Sequence, residues 1–176
     1  MIRKATPADI PAVARIYDAI LTEQEQGHVS IGWVRGIYPT EKTAREALEA
    51  GELFVWEQGG GILAAARINQ VQVPEYAVAR WEHPAPDREI MVLHTLVVDP
   101  EASGRGIGKE FVGFYERYAR EHGCRFLRMD TNAVNTRARR LYRGLGYTEA
   151  DIVPCCFNGI EGVRLVCLEK YLEVRA

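Results

Sequence analysis

The spacing of apolar residues changes several times along the chain, and each change predicts a new helix or strand. The segment from Ile2 to Lys4 predicts a short first strand. From Thr6-Pro7 onwards apolar residues recur at helical spacing, which predicts a helix that starts at a capping threonine and buries one face. A second helix is predicted from Thr40 to Ala50, ending at Gly51. Two apolar runs then flank Gly59-Gly60-Gly61 and predict a β-hairpin.

The second half of the chain carries a stronger apolar signal. Glu89 to Val98 is a nearly continuous apolar run, which predicts a central strand buried on both faces. A glycine-rich turn follows and opens a helix that ends at Gly123. The next strand is predicted at Phe126 to Asp130 and the next helix at Asn135 to Leu145. The last two predicted strands lie near Tyr147–Val153 and Val163–Tyr171.

Size and composition are those of one globular domain. The chain has 176 residues, of which 47% are hydrophobic and 26% charged, so it can bury a core of its own. Its net charge of −2 gives no support to nucleic-acid or anionic-membrane binding. No apolar run approaches the roughly 20 residues that cross a bilayer, and the first residues lack a secretory signal. We therefore expect a single mixed α/β (α+β) domain over residues 1–176, located in the cytoplasm, with no nucleic-acid or membrane partner.

Four cysteines are spread over the second half of the chain, at Cys124, Cys155, Cys156 and Cys167. Their spacing does not match a zinc site, and adjacent cysteines rarely both bind one metal, so no metal is expected. In a reducing compartment they are expected to be free thiols, partly buried. The alternative that the Cys155-Cys156 pair lines a substrate pocket stays open.

The sharpest chemical feature is the turn after the central strand, where Ser103-Gly104-Arg105-Gly106-Ile107-Gly108 leads into a helix. Such a turn directs backbone N–H groups and the positive end of a helix at one point, and glycines let an anion approach closely. The turn lacks the Gly-Lys-Ser/Thr ending of a P-loop and the G-x-G-x-x-G spacing of a dinucleotide-binding fold. By itself it indicates either an anion-binding turn of another kind, suited to a diphosphate, or an ordinary structural turn before a helix.

Two signatures together resemble the GNAT N-acetyltransferase superfamily. The first is Leu96-Val97-Val98-Asp99-Pro100 followed by Gly104 to Lys109. The second consists of Asn135, Ala138, Tyr142, Gly146 and Tyr147. Both occur in the family's order, and the element order matches along nearly the whole chain. One position departs from the family pattern, because Ser103 stands where the family usually has Gln or Arg. Arg105 is expected to supply the missing charge.

The resemblance implies a fold and a cosubstrate. The expected fold is a central mixed, mostly antiparallel sheet with a splayed pair of strands, flanked by helices. The expected cosubstrate is acetyl-CoA, whose acetyl group passes directly to an amine. By position, the thioester and pantetheine are assigned to Leu96, Val97 and Val98, with Asn135 as a further pantetheine contact that also suits a helix N-cap. The diphosphate is assigned to Ser103, Gly104, Arg105, Gly106, Ile107, Gly108 and Lys109. Of the arginines on the helix that follows Asn135, one could reach the CoA 3′-phosphate.

Two residues are predicted to move protons. The resemblance makes Tyr142 the general acid that protonates the leaving thiolate, although its helix position also suits a core tyrosine. His94 precedes Leu96 by two residues, which places both on one face of a regular strand, and it is the candidate general base. A buried, hydrogen-bonded histidine is an equally good interpretation of His94, and Glu89 is a weaker base candidate.

The acceptor is the least defined part of the prediction. Trp33, Tyr38, Tyr76 and Trp81 lie in two irregular segments, 27–39 and 69–88, that either wall the acceptor pocket or pack as ordinary loops. The preferred acceptor is a primary amine of a small molecule or amino acid. The alternatives are a protein N-terminus or lysine and, in another class, a CoA-binding sensor module without turnover. The resemblance leaves open whether the chain forms a homodimer.

Overall fold

Four α-helices and seven strands make up most of residues 1–173, which the computed structural model describes. The helices are α1 (Ile10–Glu25), α2 (Glu41–Glu49), α3 (Ile107–Glu121) and α4 (Thr136–Gly144). The strands are β1 (Ile2–Lys4), β2 (Leu53–Gln58), β3 (Gly61–Asn69), β4 (Ile90–Val98), β5 (Phe126–Asn132), β6 (Thr148–Phe157) and β7 (Ile160–Tyr171). Every predicted helix and strand is present, with ends displaced by a few residues. The predicted domain end at residue 176 lies outside the described residues.

The strands form one sheet in the order β1-β2-β3-β4-β5-β7-β6. All neighbours are antiparallel except β4 and β5, which run parallel. Their pairing runs from Ile90 and Phe126 to Leu93 and Met129 and then stops, although both strands continue. The two strands therefore splay apart beyond this point. The predicted fold class, a mixed and mostly antiparallel sheet with a splayed pair, is confirmed.

Helices cover both faces of the sheet. Phe111 and Tyr115 of α3 are fully buried against Met91 and Leu127, and the Tyr115 hydroxyl donates to the Met91 carbonyl at 2.6 Å. On the opposite face, α1 and α2 bury a second cluster that includes Val13. Within residues 1–173, no helix combines the length and apolar character that crossing a membrane would require.

The long segment between β3 and β4 packs against the sheet instead of extending into solvent. The buried carboxylate of Glu169 accepts the backbone N–H of Glu82 at 2.6 Å and of His83 at 3.3 Å. The Arg128 guanidinium lies 4.0 Å from the ring centre of Trp81, whose Nε1 donates to the Tyr76 carbonyl at 2.9 Å. These contacts hold Tyr76 in a buried position beside β5.

A β-bulge changes the face of the residues at the end of β4. Arg67 of β3 pairs with His94, but Ala65 pairs with Val97, so β4 carries one extra residue. Thr95 occupies this place with a φ of 52°. As a result, Leu96 joins the α3 core. His94 instead continues the opposite face and bonds to Asn69, so the predicted shared face of His94 and Leu96 is wrong.

Candidate active site

A cavity of about 930 Å³ lies where β4 and β5 separate. It runs from the turn before α3, past the ends of both strands, to a chamber beneath the loop that follows α1. All of the predicted site residues except Arg105 line it, namely His94, Leu96, Val97, Val98, Ser103, Gly104, Gly106, Ile107, Gly108, Lys109, Asn135 and Tyr142. The structure thus gathers the two sequence signatures around one space.

The glycine turn presents unpaired backbone donors to this cavity. Gly104 and Gly106 have φ angles of 81° and 80°, and a Cβ built on either would meet nothing within 4 Å. In the described part of the chain, the amides of residues 104–109 have no hydrogen-bond acceptor; the first to donate is Glu110, to the Gly106 carbonyl at 3.0 Å. These amides stand at the positive end of the long helix α3, which favours an anion such as a diphosphate.

The positive charge beside Ser103 comes from a different arginine than the sequence suggested. The Arg105 guanidinium donates to the Glu101 carbonyl at 3.2 Å, and the residue does not line the cavity. Arg137 of α4 lines the cavity, and its Nη2 donates to the Ser103 hydroxyl. Arg137 is one of the α4 arginines that the sequence offered for a phosphate contact. The sequence could not single it out, because it does not show which face of α4 meets the glycine turn.

Asn135 is the N-cap of α4, and Tyr142 lies on that helix. The Asn135 side chain accepts the Ala138 N–H at 3.1 Å, so it caps the helix and also lines the cavity. Tyr142 is buried, and its hydroxyl has no hydrogen-bond partner among residues 1–173. Burial, followed by the nearby Asp130 carboxyl, raises the pKa of Tyr142, so the phenol keeps its proton throughout the usual pH range. The catalytic role of Tyr142 stays a prediction.

His94 is a neutral, hydrogen-bonded histidine. Its Nε2 lies 2.8 Å from the Asn69 amide oxygen, which assigns the proton to Nε2 and leaves the lone pair on Nδ1. Burial, followed by the positive charge of Arg67, lowers the pKa of His94 to about 4. A histidine with this pKa is a weaker proton acceptor than an ordinary one, and its role as a base stays a prediction.

The sequence analysis did not identify Asp130, which lines the cavity on β5. The Tyr76 hydroxyl donates to its Oδ2 at 2.7 Å. Burial raises the pKa of the Asp130 carboxyl to about 6, while the Tyr76 hydrogen bond opposes this change and the Glu75 charge adds to it. The sequence does contain one sign of it, because Asp130 is a charged residue near the carboxyl end of an apolar strand. Ligands often bind at the carboxyl ends of parallel strands.

Of the other residues that the sequence analysis singled out, some line the cavity and some lie outside it. Trp33 and Tyr38 line the cavity, whereas Tyr76 and Trp81 pack beneath it. None of the four cysteines lines this cavity, and all are free thiols, so the Cys155-Cys156 pair lies outside it. Glu89 ends a short helical turn before β4 and also lies outside the cavity.

The splayed sheet and the glycine turn define an α/β protein whose cavity opens onto backbone amides without hydrogen-bond acceptors among the described residues. A profile of the Acetyltransferase (GNAT) family matches residues 15–147, which is most of the chain. The chain therefore belongs to the GNAT acetyltransferase family. An uncharacterized N-acetyltransferase of Methanocaldococcus jannaschii is 32% identical over 73 residues, which cover 42% of this chain and 32% of that protein. The chain thus spans about a third of the length of this curated relative.

Solved structures share the fold over the whole chain. A GNAT-family acetyltransferase from Streptococcus agalactiae 2603 superposes with a TM-score of 0.81 and 22% identity, covering 99% of this chain and 96% of that one. The yncA protein of Salmonella typhimurium, solved with its cofactor acetyl-CoA, gives a TM-score of 0.70 and 20% identity, covering 100% and 95%. At these identities the likeness shows the shared fold.

Proposed function

We propose that this chain is an acetyl-CoA-dependent N-acetyltransferase that transfers acetyl directly to a primary amine of a small molecule. The observation that carries the proposal is the continuity of the cavity, which joins the glycine turn to a separate chamber through the gap between β4 and β5. Two substrates entering from opposite ends would meet in this gap. Holding two reactants in this way replaces an encounter in solution and supplies much of the rate.

The residues present suit acetyl-CoA. The free amides of residues 104–109 would bind the diphosphate, and Arg137 and Lys109 would add positive charge. Leu96, Val97 and Val98 lie on the part of β4 that no longer pairs with β5, where their free backbone groups would bind the pantetheine arm. Asn135 lines the same cavity and would contact this arm as well. Acetyl-CoA supplies the acetyl thioester, and Tyr142 would give its proton to the leaving sulfur.

Two measurements test this proposal. Calorimetry with acetyl-CoA should show binding, and a thiol-release assay with a panel of primary amines should show turnover that depends on the amine. Turnover only with peptides would favour a protein N-terminal or lysine acetyltransferase. Binding without any turnover would favour a CoA-binding sensor. Failure to bind acetyl-CoA would contradict the proposal altogether.

Arg137 offers a prediction about the cosubstrate alone. Replacing Arg137 with alanine should weaken acetyl-CoA binding by about tenfold, because one charge-assisted contact to a phosphate is worth about 1.5–3 kcal/mol. Calorimetric titration measures the change. The matched control is Arg140→Ala, which removes the same charge from an exposed position of α4 that does not line the cavity. Equal effects of the two variants would mean that Arg137 acts only through the overall charge of the helix.

A further inference from the structure

We propose that Asp130 binds the ammonium group of the acceptor and takes its proton, and that the acceptor is a primary amine with an apolar body. This proposal rests on the acetyltransferase function proposed above and names its substrate class. It is based on the position of one unpaired carboxylate, on the walls around it and on the neighbours that fix its orientation.

Asp130 lies at the point where the two strands separate. Leu93 and Met129 form the last pair between β4 and β5, and His94 and Asp130 are the next residue of each strand. Met129 belongs to the α3 core, so Asp130 points to the opposite face, where Tyr76 lies. An amine held there would stand in the gap that leads to the glycine turn.

The Asp130 carboxylate is positioned but has no partner charge. Tyr76 donates to Oδ2, and within residues 1–173 neither an ion pair nor a hydrogen bond engages Oδ1. Trp81 fixes Tyr76, because its ring lies edge-on at 5.1 Å and its Nε1 donates to the Tyr76 carbonyl. A carboxylate that lines a cavity, is held on one oxygen and is free on the other is suited to bind an ammonium group.

The chamber around Asp130 is mostly apolar. Its walls include Tyr17, Ile20, Ile31, Trp33, Phe157 and Ile160. Arg67 also lines the cavity, but it already pairs with Glu52 at 2.6 Å. Two other acids line the cavity, but Glu23 lies 3.0 Å from His28 and Glu46 lies 3.6 Å from Lys42. Among the lining acids of residues 1–173, Asp130 is therefore the one without a charged partner. This combination favours a ligand with one cationic nitrogen and a hydrophobic remainder, rather than one that also carries a carboxylate.

Asp130 is also better matched than His94 to accept a proton. A base works best when its pKa lies near the working pH, and the pKa of Asp130 is about 6 whereas that of His94 is about 4. The titratable groups around Asp130 include Glu75, Tyr76, Cys155, Cys167, Tyr38, Tyr142 and His94.

Asp130 and Tyr142 together can accept and donate every proton that moves during the transfer. The Asp130 carboxylate takes one proton from the ammonium, and the freed lone pair forms the C–N bond to the acetyl carbon. The C–S bond breaks, and the departing sulfur takes the proton of Tyr142. The second proton lost by the nitrogen returns to the Tyr142 phenolate as the amide forms. Asp130 then releases its proton to solvent.

Binding without acetyl-CoA tests the amine site directly. Calorimetry or NMR titration should show that 2-phenylethylamine binds at least about tenfold more tightly than its neutral analogue 2-phenylethanol. This preference should vanish in Asp130→Asn, which keeps an acceptor for Tyr76, and persist in the control Asp87→Asn, an exposed acid outside the cavity. Tighter binding of phenylalanine than of 2-phenylethylamine would overturn the proposed substrate class. An unchanged preference in Asp130→Asn would overturn the site.

The pH profile of transfer tests the proton-accepting role. In the wild type, kcat/KM should rise with pH through about 6 as the Asp130 carboxyl ionises. Glu75→Gln removes a charge that raises this pKa, so the rise should move to lower pH. Tyr76→Phe removes a hydrogen bond that lowers this pKa, so the rise should move to higher pH. In Asp130→Asn the rise should disappear.

Further outcomes separate the role proposed for Asp130 from the proposed acetyltransferase function. A rise that stays in place in both Glu75→Gln and Tyr76→Phe, or that disappears in His94→Ala, would overturn the role of Asp130. Acetyl-CoA binding should be equal in Asp130→Asn and wild type, since the carboxylate belongs to the acceptor chamber. If the wild type binds the amine through Asp130 but does not bind acetyl-CoA, the proposed function fails while the amine site stands.

Discussion

Replacing Gly106 with valine is expected to weaken acetyl-CoA binding about 100-fold, which corresponds to about 2.7 kcal/mol. Gly106 is the N-cap of α3 with a φ of 80°, and apart from its chain neighbours no protein atom lies within 4 Å of an added Cβ. The added side chain would therefore enter the space assigned to the diphosphate. It would also strain a left-handed position and turn the neighbouring amides away from their common point. Calorimetric titration of the folded variant measures the loss.

The matched control for this change is Gly123→Val, just beyond the other end of α3. Gly123 has a φ of 73° and also has no atom within 4 Å of an added Cβ, so the backbone strain is of the same kind. Both variants should lose a similar amount of stability, about 1–2 kcal/mol. Gly123→Val should nevertheless bind acetyl-CoA like the wild type. Undiminished binding by Gly106→Val would show that the glycine turn does not hold the diphosphate.

Replacing Tyr142 with phenylalanine is expected to lower kcat by about 100-fold or more, because general acid catalysis contributes about 10²–10⁴. The ring keeps its packing in the α3 core, and the hydroxyl has no hydrogen-bond partner to lose among residues 1–173. The stability and the acetyl-CoA affinity should therefore change little. Steady-state kinetics with a thiol-release assay separates kcat from KM.

Tyr147→Phe is the matched control, since Tyr147 is a buried tyrosine of the same core that does not line the cavity. Its hydroxyl donates to Glu116 at 3.2 Å, and Glu116 keeps Lys170 at 2.9 Å when that bond is removed. This variant should lose about 1 kcal/mol of stability and no turnover. A Tyr142→Phe enzyme with wild-type kcat at every pH would refute the general acid role and leave Tyr142 as a core residue.

The glycine turn shows why part of the site was predictable. Positive φ angles at Gly104 and Gly106 are a local requirement, and only glycine meets it without strain. The apolar run that ends at Val98 and the spacing of Asn135, Ala138 and Tyr142 are local as well. A pattern of residues can record such requirements directly, so both signatures predicted residues that line one cavity.

His94 shows where the local argument failed. Regular alternation put His94 and Leu96 on one face, but the bulge at Thr95 places them on opposite faces. A bulge depends on how β3 and β4 pair, and the β4 sequence alone carries no sign of it. The choice of Arg137 over Arg105 had the same cause, because it depends on how α4 meets the glycine turn.

The sequence by itself determined the order of helices and strands, the family and the glycine turn, because periodicity, capping and glycine conformations are encoded within short stretches. Only the tertiary structure decided which charged groups face the proposed acceptor chamber. Asp130 gains its raised pKa from burial, and Tyr76 reaches it from a distant segment that Glu169 and Arg128 hold against the sheet. Desolvation and long-range contacts exist only in the folded chain, and they make this carboxylate the proposed centre of amine recognition.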